Sequence, residues 1–180
     1  MPLSVTDTPP ATPLLQRAAA GSAEAIAELY HEHGETVFRT AYRLTGSAAD
    51  AEDVLQDVFV GLPEALRSFA GRGSFGGWLR RVAARTALMR IRQRSRRGEV
   101  GLVPDARTSG DDPSDAVERT AIERALAQLP EALRSVFVLK EVEGYSHAEI
   151  AELLGIRPGT SEVRLHRAKK ILRERLRSEP

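Results

Sequence analysis

The apolar positions of this chain recur every three or four residues and almost nowhere every second one. Between Ala48 and Val60 the residues Ala51, Val54, Leu55 and Val58, continued by Leu62, form one stripe, and Asp53, Gln56, Asp57 and Val60 lie opposite. That spacing is one face of a helix with about 3.6 residues per turn. Ser47 with Asp50 three residues on has the form of a capping box and sets the start of this helix. Trp78 to about Arg97 predicts a second long helix that buries Leu79, Val82, Ala83, Leu88 and Ile91. Pro130 opens another, with Leu133, Val136, Phe137 and Leu139 inward, and Gly144 stops it. No run alternates for the length of a strand. The predicted fold class is all-α.

The breaks in this pattern divide the chain. Residues 1–12 are rich in Pro and Thr and predict a disordered tail. Helical periodicity fills 13–97, a first small domain. Residues 98–116, rich in Gly, Pro, Asp and Ser and without apolar period, predict a flexible acidic linker. Periodicity resumes over 117–180, a second small domain. A chain of 180 residues suits that division.

The second domain carries the most specific local pattern. Ser146 and Glu149 make a capping box that opens a short helix with Ile150, Leu153 and Leu154 inward. Gly155-Ile156 is a tight turn, and Pro158-Gly159-Thr160 opens a further helix. Short helix, glycine turn and second helix together are a helix-turn-helix, whose second helix enters the DNA major groove. At about 100° per residue, Ser161, Leu165, Ala168, Leu172 and Leu176 of that helix share one face. Thr160, Val163, Arg167 and Lys170 share the opposite one, flanked by Arg164 and His166. Val163 is apolar where solvent is otherwise expected, and a thymine methyl is a partner for it.

Charge sharpens the picture because it is segregated. The net charge is +1, yet Gly71 to Gly98 holds nine Arg and no acid, and Arg157 to Arg177 holds eight basic residues against two acids. Ser22 to Glu64 holds nine acids against two Arg, and Glu99 to Glu131 holds eight against three. Two basic blocks alternating with two acidic ones predict two contacts with a polyanion and two surfaces kept off it. Arg supplies 23 of the 26 basic residues, which favours phosphate and base-edge recognition. Beside the first basic block, Phe69, Phe75 and Trp78 flank a glycine-rich loop, Ala70 to Gly77. Such a loop can accept an unstacked base. The aromatics themselves read as core ahead of stacking platforms, so base capture falls to the loop and backbone binding to the arginines.

Catalysis finds little support. The absence of cysteine removes disulfides, thiolate metal sites and thiol nucleophiles, and it suits a cytoplasmic chain. No apolar run approaches the roughly 20 residues that span a bilayer, so no membrane insertion is expected. His31 and His33 point to different helix faces, His147 and His166 have no evident carboxylate partner, and surface acids such as Glu52, Asp53 and Asp57 are usually just solvated. No phosphate loop, nucleophile elbow or zinc-protease motif is present. The expectation is a non-enzyme without cofactor or metal.

Over Leu29 to Leu176 the sequence resembles the extracytoplasmic-function, or group IV, sigma factors of bacterial RNA polymerase, of the sigma-70 family. The stretch DAEDVLQDVFV, Asp50 to Val60, resembles the part of region 2 that docks on the β′ clamp helices. The resemblance implies core-polymerase contacts at Asp50, Asp53, Gln56 and Asp57. FAGRGSFGGWLRRVAARTALMRIRQRSRR, Phe69 to Arg97, resembles the part that opens and reads the −10 element. It implies DNA contacts at Arg72, Ser74, Phe75, Trp78, Arg80, Arg81, Arg85 and Arg92. Residues 129–176 resemble region 4, which binds the −35 element, and imply contacts at Thr160, Glu162, Val163, Arg164, His166, Arg167 and Lys170. The implied partners are core RNA polymerase through its β and β′ subunits, promoter DNA and an anti-sigma factor. The chain departs from the family pattern at Arg85 and Met89, where Asn and Asp are frequent, and at Glu162, where Lys or Arg is. A carboxylate at 162 is repelled by phosphate but can accept from cytosine N4. The competing reading is a helix-turn-helix regulator unrelated to polymerase, and a third is an RNA-binding adaptor. Asp50 to Arg97 discriminates, because a plain repressor has no use for an acidic stripe followed by an arginine-rich, glycine-looped helix.

Overall fold

The structure is a computed structural model that describes residues 13–71, 73–96 and 121–178. The expected tail, the expected linker and Arg72 lie outside the described residues. The first unit comprises α1 (Pro13–Ala19), α2 (Ala23–Thr45), α3 (Ala48–Val60), α4 (Leu62–Leu66) and α5 (Phe75–Arg96). The second comprises α6 (Ala121–Ala127), α7 (Glu131–Phe137) running into a π-type turn over Val138–Val142, α8 (His147–Leu154) and α9 (Pro158–Ser178). Among the described residues there is no strand, in agreement with the all-α expectation.

α2 is the axis of the first unit. Ser22 caps its start by accepting from the Ala25 amide, and Gly46, at φ 71°, ends it in the left-handed region. Leu29, Val37, Ala41 and Leu44 of α2 are fully or almost fully buried against Ala51, Val54 and Val58 of α3 and Leu79, Ala83, Ala84 and Ala87 of α5. The alanines let α5 lie close on α2, and each large aliphatic removed from water adds about 1.5–3 kcal/mol.

The seam between the two units is packed. Val136, Val138, Leu139, Tyr145 and Ile150 belong to the same buried cluster as Leu44 and Leu88. A second small cluster, Ala125, Leu126, Leu129, Ala168 and Leu172, holds α6 to α9.

Four local expectations are corrected. α5 begins at Phe75 and not at Trp78, because Ser74 caps it: its hydroxyl accepts from the Gly77 amide at 3.1 Å and its carbonyl from the Trp78 amide at 3.1 Å. Gly76 and Gly77 therefore lie in the first turn, where amides lack intrahelical partners anyway. Leu62 opens a separate short helix, since Gly61 and Pro63 break the run. The helix from Pro130 widens after Phe137, with the Glu143 amide reaching the Val138 carbonyl at 3.0 Å and the Tyr145 amide the Leu139 carbonyl at 2.9 Å. Leu176 is 40% exposed, because α9 outruns the cluster that covers Leu172.

Candidate nucleic-acid interface

Each candidate surface is built on a long helix. On α3, Asp53, Gln56 and Asp57 are exposed, as expected, and the neighbouring Val60 is 75% exposed. The carboxylates, however, are not waiting for a partner. The Arg90 guanidinium of α5 forks across two of them, donating from Nε to Asp57 at 2.6 Å and from Nη1 to Asp53 at 2.8 Å. The Asp57 hydrogen bond holds the Arg90 pKa above its ordinary value. Arg94 pairs with Asp50 at 2.5 Å and reaches Glu131 of α7 at 3.5 Å, so Asp50 faces the seam and leaves the Asp53–Asp57 stripe. Ser47 still caps α3 through the Asp50 amide, but the Asp50 carboxylate turns to Arg94 and does not complete a capping box. Beside this stripe Ile26, Tyr30, Phe38, Leu55 and Phe59 line an open groove of about 570 Å³.

The aromatic residues near the glycine loop pack on one another. Phe69 lies 5.8 Å from Phe75 and 5.0 Å from Trp78 between ring centroids, and His33 of α2 meets the Phe75 edge at 5.1 Å. They are half-buried on the main core. Ser74, proposed from the resemblance as a DNA contact, is exposed but holds the start of α5 with its hydroxyl. Along α5, at about 100° per residue, Arg81, Arg85 and Arg92 share one exposed stripe. Arg80 is exposed on the next face round and turns toward Glu143, 3.9 Å away. The Arg81 guanidinium lies 5.5 Å above the Tyr145 ring, a cation–π distance.

The helix-turn-helix is formed as expected. Ser146 and Glu149 cap α8 reciprocally, and Gly155 ends it at φ 64°. Those hydrogen bonds, the Ser146 amide first, lower the Glu149 pKa. Ser161, Leu165, Ala168 and Leu172 are buried. Thr160, Glu162, Val163, His166, Arg167 and Lys170 are exposed and Arg164 is half-buried, so α9 presents the predicted face outward. One contact was invisible in the sequence: His147 Nδ1 lies 2.9 Å from the buried Ser161 hydroxyl and ties the starts of α8 and α9 together. The serine has no access to solvent, so the pair is a brace.

Among the described residues no group of three or more His, Cys, Asp or Glu is placed to hold a metal ion, and no helix is long and apolar enough to cross a membrane.

Comparison with known proteins reads the same two units. Residues 29–97 match the family described as Sigma-70 region 2, and residues 119–172 match Sigma-70, region 4. The ECF RNA polymerase sigma factor SigL of Mycobacterium tuberculosis is 37% identical over 163 residues, which cover 87% of this chain and 91% of that one. The chain belongs to the ECF sigma factors of RNA polymerase. SigW of Bacillus subtilis is 29% identical over 91% of this chain and 95% of its own length. SigE of Mycolicibacterium smegmatis is 35% identical, and this chain spans 60% of it. Among solved structures, CnrH in complex with the cytosolic domain of CnrY aligns at a TM-score of 0.52 and 27% identity over 93% of this chain and 97% of that one. The fold is also that of the sigma factor RpoE in complex with the anti-sigma factor NepR from Bartonella quintana, at a TM-score of 0.55 and 20% identity over 88% of this chain and all of that one.

Proposed function

We propose that this sigma factor directs core RNA polymerase to promoters by docking through α3 and reading the −10 and −35 elements through α5 and α9. It does so without chemistry of its own. The observation that carries the reading is the outward face of α9. Val163 is 52% exposed there, between Thr160 and Arg167, while Ser161, Leu165, Ala168 and Leu172 on the opposite side of the helix are committed to packing. An exposed apolar residue among cations is costly in water and useful against base edges. The −10 role rests on Arg81, Arg85 and Arg92 in one exposed stripe of α5, with Phe75 and Trp78 at the start of that helix packed on Phe69. The docking role rests on Asp53, Gln56 and Asp57, which would exchange Arg90 for basic groups of the β′ subunit. An anti-sigma factor is a further partner, by likeness to the complexes of RpoE and CnrH.

The test is transcription in vitro with purified core polymerase, with and without this chain. A defined start that requires the chain supports the reading. If the chain neither co-elutes with core nor yields a defined start, the reading fails.

A further inference from the structure

Resting on the reading of α5 as the −10 contact, we propose that Met89 is a specificity-determining residue of this chain: its thioether side chain takes the C5 methyl group of a thymine in the −10 element, between arginines that hold the flanking phosphates.

Met89 is 54% exposed, and among the described residues of α5 no other large apolar side chain reaches that exposure. The helix is not loosely packed at this point. Ala87 and Leu88, just before it, are buried in the main core. α5 therefore turns one side inward here and holds Met89 out of the core.

Placement gives the exposed side chain its partner. At about 100° per residue Met89 falls beside the stripe of Arg81, Arg85 and Arg92, with Arg85 one turn before it and Arg92 one turn after. Phe75, Trp78 and Val82 continue a row with Met89 along the edge of that stripe. They are half-buried on the core, and the row comes fully to the surface at Met89. The outward side of α5 thus has two lanes, one of guanidiniums and one apolar. No acid lies between Gly71 and Gly98, so the partner such a surface attracts is a polyanion. The carboxylates of α3 meet α5 elsewhere, through Arg90, which lies half a turn round from Arg81.

The two lanes divide the work of reading DNA. Guanidiniums bind phosphate in any sequence, and the arginines of α5 already supply that affinity. A carboxylate at 89 would be repelled by the same phosphates. A methionine offers base edges neither charge nor a strong hydrogen bond, so what it distinguishes is an apolar group. Thymine C5 methyl is the apolar group that the major groove displays. The unbranched, polarizable thioether adapts its shape to such a contact. Val163 stands in the same relation to Arg167 on α9, as an exposed apolar residue one turn from an arginine.

The test uses holoenzyme reconstituted from core polymerase and the full chain, with promoter fragments randomised over the −10 element. Bound sequences are compared for the parent, Met89→Ala and Met89→Leu. The parent should select thymine at one position, Met89→Ala should lose that selection, and Met89→Leu should restore it. On the selected fragment, deoxyuridine in place of that thymine should weaken the parent about fourfold, which is the worth of one buried methyl at about 0.8 kcal/mol. The same exchange should leave Met89→Ala unchanged. Arg85→Ala should instead weaken every fragment alike and keep the thymine. Thymine selection that survives Met89→Ala, or a parent that binds deoxyuridine and thymine equally at every −10 position, overturns the proposal and leaves the reading of α5 in place. So does a Met89→Ala chain that co-elutes less well with core polymerase while its −10 selection stays that of the parent, which gives the side chain to a protein contact. A parent that selects no −10 sequence at all sinks the reading of α5, and the proposal with it.

Discussion

α5 and α9 are both long and arginine-rich, but they treat their charge in opposite ways. α5 commits Arg90 and Arg94 to the carboxylates of α3, and turns Arg80 and Arg81 toward the second unit. α9 pairs Lys169 with Glu141 and leaves Arg167 and Lys170 exposed. One helix is therefore woven into the fold by the residue type that would touch DNA. In the other the work is divided, with Ser161, Leu165, Ala168 and Leu172 for packing and the opposite stripe for recognition. A substitution in α5 perturbs stability and binding together, whereas in α9 the two separate by face.

The separation within the helix-turn-helix breaks most sharply at Ile150 against Val163. Ile150 is fully buried, and Ile150→Ala should cost about 2–5 kcal/mol in denaturant unfolding, with loss of promoter binding following from loss of fold. Val163→Ala should stay within about 0.5 kcal/mol of the parent and change affinity only at a thymine position. Comparable loss of stability from both would collapse the distinction between faces.

Next comes Arg167 against Lys170. Arg167→Ala should relax preference at one or two −35 positions by about 1–3 kcal/mol, without change in melting temperature. Lys170→Ala should weaken all sequences alike and reduce the log–log salt slope by about one. Binding of holoenzyme to single-base −35 variants at several salt concentrations reads both, and an exchange of the two behaviours would reverse the facing of α9.

For α5 the comparison predicts entanglement. Reversing Asp53 and Asp57 to Arg brings like charge onto Arg90, so beyond abolishing core binding it should cost roughly 0.4–2 kcal/mol, from two partly exposed pairs at about 0.2–1 kcal/mol each. From the sequence alone these carboxylates read as solvated surface acids; the Arg90 fork removes that expectation. Arg90→Ala should keep core binding and lose only about 1 kcal/mol in thermal unfolding. Failure of Arg90→Ala to bind core would assign docking to the arginine.

The smallest effect is at the α8 cap. Ser146→Ala should cost about 1 kcal/mol. Because Glu149 titrates below its ordinary range in the folded chain, its contribution is fully present above the unfolded value and fades as pH falls through the folded one. Melting curves from pH 7 down to acid should show a shallower loss in Glu149→Gln than in the parent.

These contrasts also mark what was legible beforehand. The α3 and α9 stripes, the α8 cap and the Gly155 turn are local, and periodicity with cap chemistry finds them. The start of α5 was misplaced because two glycines mask a serine cap. The π-type turn leaves no mark on apolar spacing. Arg90, Arg94 and Arg134 differ in partner and burial, yet in sequence they are three arginines with acids at every distance. Only tertiary proximity sorts them, and so the charge blocks gave the surfaces but not their internal pairing.

The left-handed Gly46 beside the Arg134 guanidinium has a consequence for building new regulators from parts. Domain exchange among relatives treats each half as a cassette. Here residue 46 sits in one cassette and its counterpart in the other, and any side chain at 46 would meet the guanidinium. A chimera keeping this C-terminal half on a foreign N-terminal half should inherit the interlock only if the recipient has glycine at the matching end of its second helix.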